Sequence, residues 1–388
     1  MTGQRIHITN AGIGYTATLH VGSHQDPANV ILDTGSSTLA VRHSAYKPRH
    51  DAAIKATDLA QDIIYRTGGW VGPVITTTLA LGGIGLPRGI MAIALDEEPH
   101  SFGPADGILG LAYDQLNGCY DLSAYLKRHG AAATYPWPFP ARDSMSTVKH
   151  LAKLFSAMPK KTLTPFFTQL VDAEKAANKF AFYTRRSVPR ATKRAENAGF
   201  FILGGGEEQH DLYQGKFLDV EVVHDKHYNT TLKAVQVGHA PPARAHSLPA
   251  QFKKLISNSI IDSGTDCLAL ATDVFKAITS SLDPKLAAIA KRALNSRKGV
   301  ANAEVDLARW PDITFILEGE RGRDVPLVCA PKTYWQLDAG EPGRALFRIN
   351  PFGQVLSILG LPLLNNYYTV FDRSAHKTGV IRFAKMKP

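Results

Sequence analysis

Short apolar runs, broken again and again by glycine, organise this chain. Tyr15, Ala17, Leu19 and Val21 alternate with Thr16, Thr18 and His20, the period-two pattern of a strand with one buried face. "VITTTLALGG", "GFFILGGG", "KFLDVEVV" and "PDITFILEG" are further β-rich runs, several of them ending at glycine. Helical spacing is confined to a few places. The clearest are Ser146 to Met158 and Asp283 to Leu294, the second with Asp283 as N-cap and Pro284 at the first helical position. The pattern predicts an all-β chain with minor helices.

Two of the apolar runs end in the same unusual way. "VILDTGSSTLAV" delivers Asp33 at the end of a strand, and "SIIDSGTDCLAL" delivers Asp262. Each is followed further on by an Ile-Leu-Gly segment, "DGILGLAY" after the first and "SILGLPLL" after the second. Repetition in this order points to a duplicated unit. The expected organisation is an N-terminal lobe over 1–186, a polar, basic linker over 187–198 ("SVPRATKRAENA") and a C-terminal lobe over 199–388. Within the first lobe, 117–161 reads as a surface insertion, because the prolines of "TYPWPFPARD" prevent regular structure.

A single Asp-Thr-Gly-Ser after a strand is ordinarily an Asx or Ser/Thr turn serving the local backbone. Two copies in related halves change that reading, since a pseudo-twofold axis would bring Asp33 and Asp262 face to face. Two carboxylates in one site cannot both ionise cheaply, so the pair would share a proton and carry one charge. It could then act as general base and general acid together, with a water between the two acids. Ser36 and Thr265 stand where their hydroxyls could donate to the carboxylates. Gly35 and Gly264 would leave room for water and a substrate backbone.

Composition narrows the field. A hydrophobic content of 44% over 388 residues suffices for a large core, and 20% charged residues argues against wholesale disorder. The net charge of +10 comes from scattered Lys/Arg pairs without interleaved aromatics, so a solvated surface is expected and nucleic acid is not. Three cysteines without short spacing give neither a disulfide framework nor a zinc site, and no H-E-x-x-H set occurs among fourteen histidines, so neither metal nor cofactor is expected. The first twenty residues hold no secretory apolar run, and no run is long enough for a membrane span. These features lead to the expectation of a cytoplasmic protein in a reducing compartment.

The ordered motifs resemble those of pepsin-like aspartic endopeptidases along nearly the whole chain. "DTGSS" and "DSGT" resemble the two catalytic loops, "IIYRTGGWVG" the flap, "ADGILGLAY" the segment crossing the first loop, and "ILGLPLLNNYYTVFDRSAHKTGVIRFA" the C-terminal signature. The resemblance implies a bilobal acid protease fold with pseudo-twofold symmetry and Asp33 and Asp262 as the catalytic dyad. Thr34 and Ser263 would lock the loops together, while Ser36 and Thr265 would donate to the acids. Tyr65, Arg66 and Thr67 would form the flap that closes over an extended peptide. The implied activity is pepstatin-sensitive, acid-dependent cleavage between bulky apolar residues by a monomer; the alternative is an inactive, protein-binding member of the fold.

Several positions depart from the family pattern. Ala40 stands where a tryptophan usually bonds the flap tyrosine, leaving the partner of Tyr65 open. Arg66 replaces a flap glycine, and either selects acidic substrate groups or sits in water. Asp266 adds a third acid, which either gives a preference for basic or polar substrate groups or a shifted pH profile, or is solvated or bonded to backbone. With 32 residues before Asp33, most of them used by the first strands, the chain is similar to bacterial homologues lacking leader and prosegment.

Overall fold

The computed structural model describes residues 3–65, 68–98, 101–139, 145–248, 256–353 and 355–387. The chain is mainly β and divides into two compact units, Thr16–Lys175 and Met1–Tyr15 with Ala176–Pro388.

Strand β1 (Gln4–Asn10) belongs to the second of these units. The unit Thr16–Lys175 is built from β2 (Tyr15–Val21), β3 (Asp26–Asp33), β4 (Leu39–Arg42), β5 (Lys55–Tyr65), β6 (Gly68–Leu81), β7 (Ile84–Ala94) and β8 (Asp96–Glu97). It continues through β9 (Gly107–Gly110), β10 (Gly118–Asp121) and β11 (Lys160–Thr162), with helices α1 (Ser123–Arg128), α2 (Met145–Phe155) and α3 (Phe166–Asp172). The alternation noted in β2 appears as alternating burial, and β2 pairs antiparallel with β3. Strand β9 is the centre of the arrangement that matters for function. It runs parallel to β3, Asp33 opposite Gly110, and antiparallel to β4, Leu39 opposite Leu109. Leu32, Leu109 and Val41 are fully enclosed there, each worth about 1.5–3 kcal/mol of burial. That enclosure holds the end of β3 in place against the cost of the carboxylate it carries.

The larger unit contains β12 (Lys179–Tyr183), β13 (Ala198–Leu203) and β14 (Tyr213–Glu221). Its main sheet runs β1, β13, β12, Tyr367–Asp372, Val380–Met386, β14, all antiparallel. Phe180, Phe182, Phe201, Tyr228 and Phe371 pack on one another at its heart, with ring centroids 4.7–6.1 Å apart. The predicted helix near 283 runs Pro284–Leu294, and the Asp283 side chain accepts from the Lys285 N–H at 2.9 Å.

Two segments differ from the sequence expectation. Residues 187–198, expected as a linker, lie within the larger unit, where Arg190 bridges to Ala339 and donates to Asp338 and Glu196. The 117–161 segment, expected as an irregular surface insertion, carries two strands and two helices around apolar residues of its own. The prolines of "TYPWPFPARD" interrupt its middle, and strands and helices lie on either side of them.

Candidate active site

Each Asp loop is shaped by the same local chemistry. At the end of β3, Asp33 is 7% exposed. Its Oδ1 accepts from the Gly35 N–H at 2.8 Å, and its Oδ2 accepts from the Ser36 hydroxyl at 2.5 Å. At the end of Ser259–Ile261, Asp262 is 8% exposed. There Oδ1 accepts from the Gly264 N–H at 2.8 Å and Oδ2 from the Thr265 hydroxyl at 2.6 Å. In both loops an N–H two residues on and a hydroxyl three residues on grip the carboxylate, one donor to each oxygen. Thr34 and Ser263 are buried beneath the turns.

The strands around the loops also repeat. Ser357–Leu359 runs parallel to Ser259–Ile261 and antiparallel to Leu268–Leu270, as β9 does to β3 and β4. The Ile-Leu-Gly segments earn their glycines here. A Cβ on Gly110 would lie 2.4 Å from the Ser37 backbone, and one on Gly360 would lie 2.3 Å from the carbonyl oxygens of Thr265 and Cys267. Only a residue without a side chain lets the crossing segment press against the turn.

Beyond the turn the two loops part company. After Asp33, the Ser37 hydroxyl donates to the Tyr113 carbonyl at 2.6 Å and Thr38 to Asn117 Oδ1 at 3.1 Å. After Asp262, the Asp266 carboxylate forms an ion pair with Arg348, whose Nε also donates to the Asp266 carbonyl at 3.0 Å. Asp266 is thus satisfied by a cation within its own unit. Nothing in the linear pattern connects Arg348 to Asp266, 82 residues away.

Tyr65 ends β5, its backbone opposite Gly68 of β6 in an antiparallel hairpin. Arg66 and Thr67 lie outside the described residues. Ala40 is fully buried in β4, between Ala92 of β7 and Ile108 of β9. The backbone there leaves little space: a Cβ on Gly107 would meet the Ala40 carbonyl at 2.1 Å. Among the described residues, no group of three or more His, Cys, Asp or Glu side chains could hold a metal ion. No described helix is long and apolar enough to cross a membrane.

A pair of such carboxylate turns on a β scaffold is the hallmark of an aspartic-type hydrolase. The model of the eukaryotic aspartyl protease family matches residues 14–125 and 151–385, and the chain belongs to that family. It is similar to pepsin-2B of Gadus morhua, 24% identical over 94% of both chains. It is similar also to pepsin A of Sus scrofa and pepsin II-2/3 of Oryctolagus cuniculus, each 24% identical over 94% of this chain and 80% of theirs. Membership supports aspartic endopeptidase activity, with a peptide or protein as substrate.

Proposed function

We propose that the chain cleaves peptide bonds at acidic pH with Asp33 and Asp262 as a single catalytic pair. The observation that carries this reading is the repeated grip on each carboxylate, N–H on one oxygen and hydroxyl on the other, in a chain of this family. One ionised carboxylate takes a proton from a water shared by the pair, and the water oxygen bonds to the peptide carbonyl carbon. The other, protonated carboxyl gives its proton to the carbonyl oxygen. Collapse of the tetrahedral intermediate breaks the C–N bond, and a proton passes to the departing amine. Thr34 and Ser263 would join the two loops. The β5–β6 hairpin, with Tyr65, would hold the peptide in extended form by backbone pairing.

The mechanism needs one protonated acid, so the reading is of turnover at acidic pH. Bulky apolar residues flanking the cut, sensitivity to pepstatin and action as a monomer complete the proposal. Its test is an internally quenched apolar peptide at pH 4 and pH 7, with and without pepstatin, beside Asp33→Ala and Asp262→Ala. The expected result is cleavage at pH 4 that pepstatin blocks and both variants lose. Equal rates at pH 4 and pH 7, or turnover surviving in either variant, would overturn the reading. No cleavage by the wild type would favour a protein-binding role.

A further inference from the structure

The family match skips residues 126–150, and those residues lie inside the 117–161 segment. Its described residues pack onto the β5–β6 hairpin. Ala60 of β5 and Val71 of β6 are enclosed with Leu122, Leu126, Phe139, Val148, Leu151 and Phe155 in one apolar cluster. Its rings interlock: Phe139 sits 4.9 Å from Trp137, 5.3 Å from Tyr125 and 5.6 Å from Phe155 between centroids.

The hairpin has a particular need for this support. Its pairing slips between Ala56 and Ala60, leaving a bulge in β5. Towards its tip, β6 is no longer paired with β7 and, among the described residues, pairs on that side with the two-residue β8, at Trp70 and Val71. A two-stranded ribbon is marginal by itself. The segment closes the bulge from outside. The N–H of the fully buried Thr134 donates to the Thr57 carbonyl at 2.8 Å, and its hydroxyl lies 2.9 Å from that carbonyl and 2.8 Å from the Leu59 carbonyl. Just beyond, β10 pairs with β5, Tyr120 opposite Ala60 and Asp121 opposite Leu59. Across the hairpin the Thr57 hydroxyl donates to the Val74 carbonyl of β6 at 2.5 Å.

We propose that the described residues of 117–161 form a strut that holds β5 in place, with Thr134 as its positioning residue, and so set how tightly an extended peptide binds. The peptide-binding half of this inference rests on the function proposed above; the strut itself does not. A bulge disrupts the ladder locally and leaves backbone groups of its strand without cross-strand partners. Bonding both bulge carbonyls orders that stretch before substrate arrives, so less order has to be imposed on binding.

Thr134→Val keeps the shape and removes the hydroxyl donor, and Thr134→Ser restores it. The expected result is a several-fold rise in KM for the quenched peptide at pH 4, with kcat within twofold of wild type. Amide hydrogen exchange in β5 and β6 should quicken in Thr134→Val, and Thr134→Ser should return both readouts to wild type. Unchanged KM, or a fall in kcat at unchanged KM, would overturn the effect on binding, and unchanged exchange would overturn the strut. A wild type without turnover would instead remove the proposed function, while exchange would still decide the strut.

Discussion

The two Asp loops are alike where they hold the carboxylate and unlike immediately afterwards. Asp33 and Asp262 receive the same two donors at nearly the same distances. The next two positions are Ser37 and Thr38 in one loop and Asp266 and Cys267 in the other. The first loop is tied down by neutral hydroxyl bonds, the second by an ion pair with Arg348. The grip on the acid therefore depends on a four-residue turn and a crossing glycine, and the rest of each loop is free to be secured in whatever way its own unit allows.

If the pair works as one device, the largest effect should be non-additive. Asp33→Ala and Asp262→Ala should each lower kcat/KM by about a thousandfold or more, and the double variant should be no worse than either single one. Independent, multiplying losses in single-turnover assays would break the equivalence of the two loops. Next in size are the hydroxyl donors. Ser36→Ala and Thr265→Val each remove a charge-assisted hydrogen bond worth about 1.5–3 kcal/mol, so each should slow turnover about ten- to a hundredfold. Similar losses in the two variants would keep the loops equivalent, and a loss confined to one would show that they divide acid and base unequally.

The differences can be tested by unfolding. Arg348→Ala leaves Asp266 without its partner and should cost about 1–2 kcal/mol in urea titrations, the 29% exposure of Asp266 limiting the penalty. Ser37→Ala, in the hydroxyl-tied loop, should cost about 1 kcal/mol. Raising the salt concentration should narrow the first difference and leave the second.

The smallest effects concern two acids of the unit Thr16–Lys175 that respond to pH in opposite senses. Burial of Asp51 pushes its pKa up, but four donors outweigh that: Tyr46 and Thr77 hydroxyls at 2.5 Å and the Ser23 and Ala53 N–H groups at 2.8 Å. The result falls from 3.8 to about 2. Its stabilisation is complete above the ordinary value of 3.8 and is lost as the pH falls through about 2. Asp62 on β5 is pushed up by burial, an effect that Tyr120 and Lys160 partly offset. Its protonated form is the favoured one, so its contribution is present below 3.8 and lost as the pH rises through its raised folded value. Asp62→Asn should gain stability over the wild type at pH 7 and none at pH 3. Asp51→Ala should lose stability at pH 4, the loss shrinking towards pH 2. Thermal midpoints across pH 2–7 would check both.

The chain order of residues was sufficient for the mainly β class, for both Asp-Thr/Ser-Gly-Ser/Thr turns and for the two Ile-Leu-Gly segments, because each of these is local. A strand needs only its period, and a turn that grips its own carboxylate uses atoms within three residues. The hydroxyls of Ser36 and Thr265 were legible for the same reason. What tertiary structure alone decided joins residues that no spacing connects. Arg348 answers the charge of Asp266, Thr134 answers two carbonyls of a bulge in β5, and Tyr46 and Thr77 converge on Asp51. Each of these is a buried or half-buried polar group meeting a demand created elsewhere in the fold. That demand appears only once the chain has packed and water has been excluded.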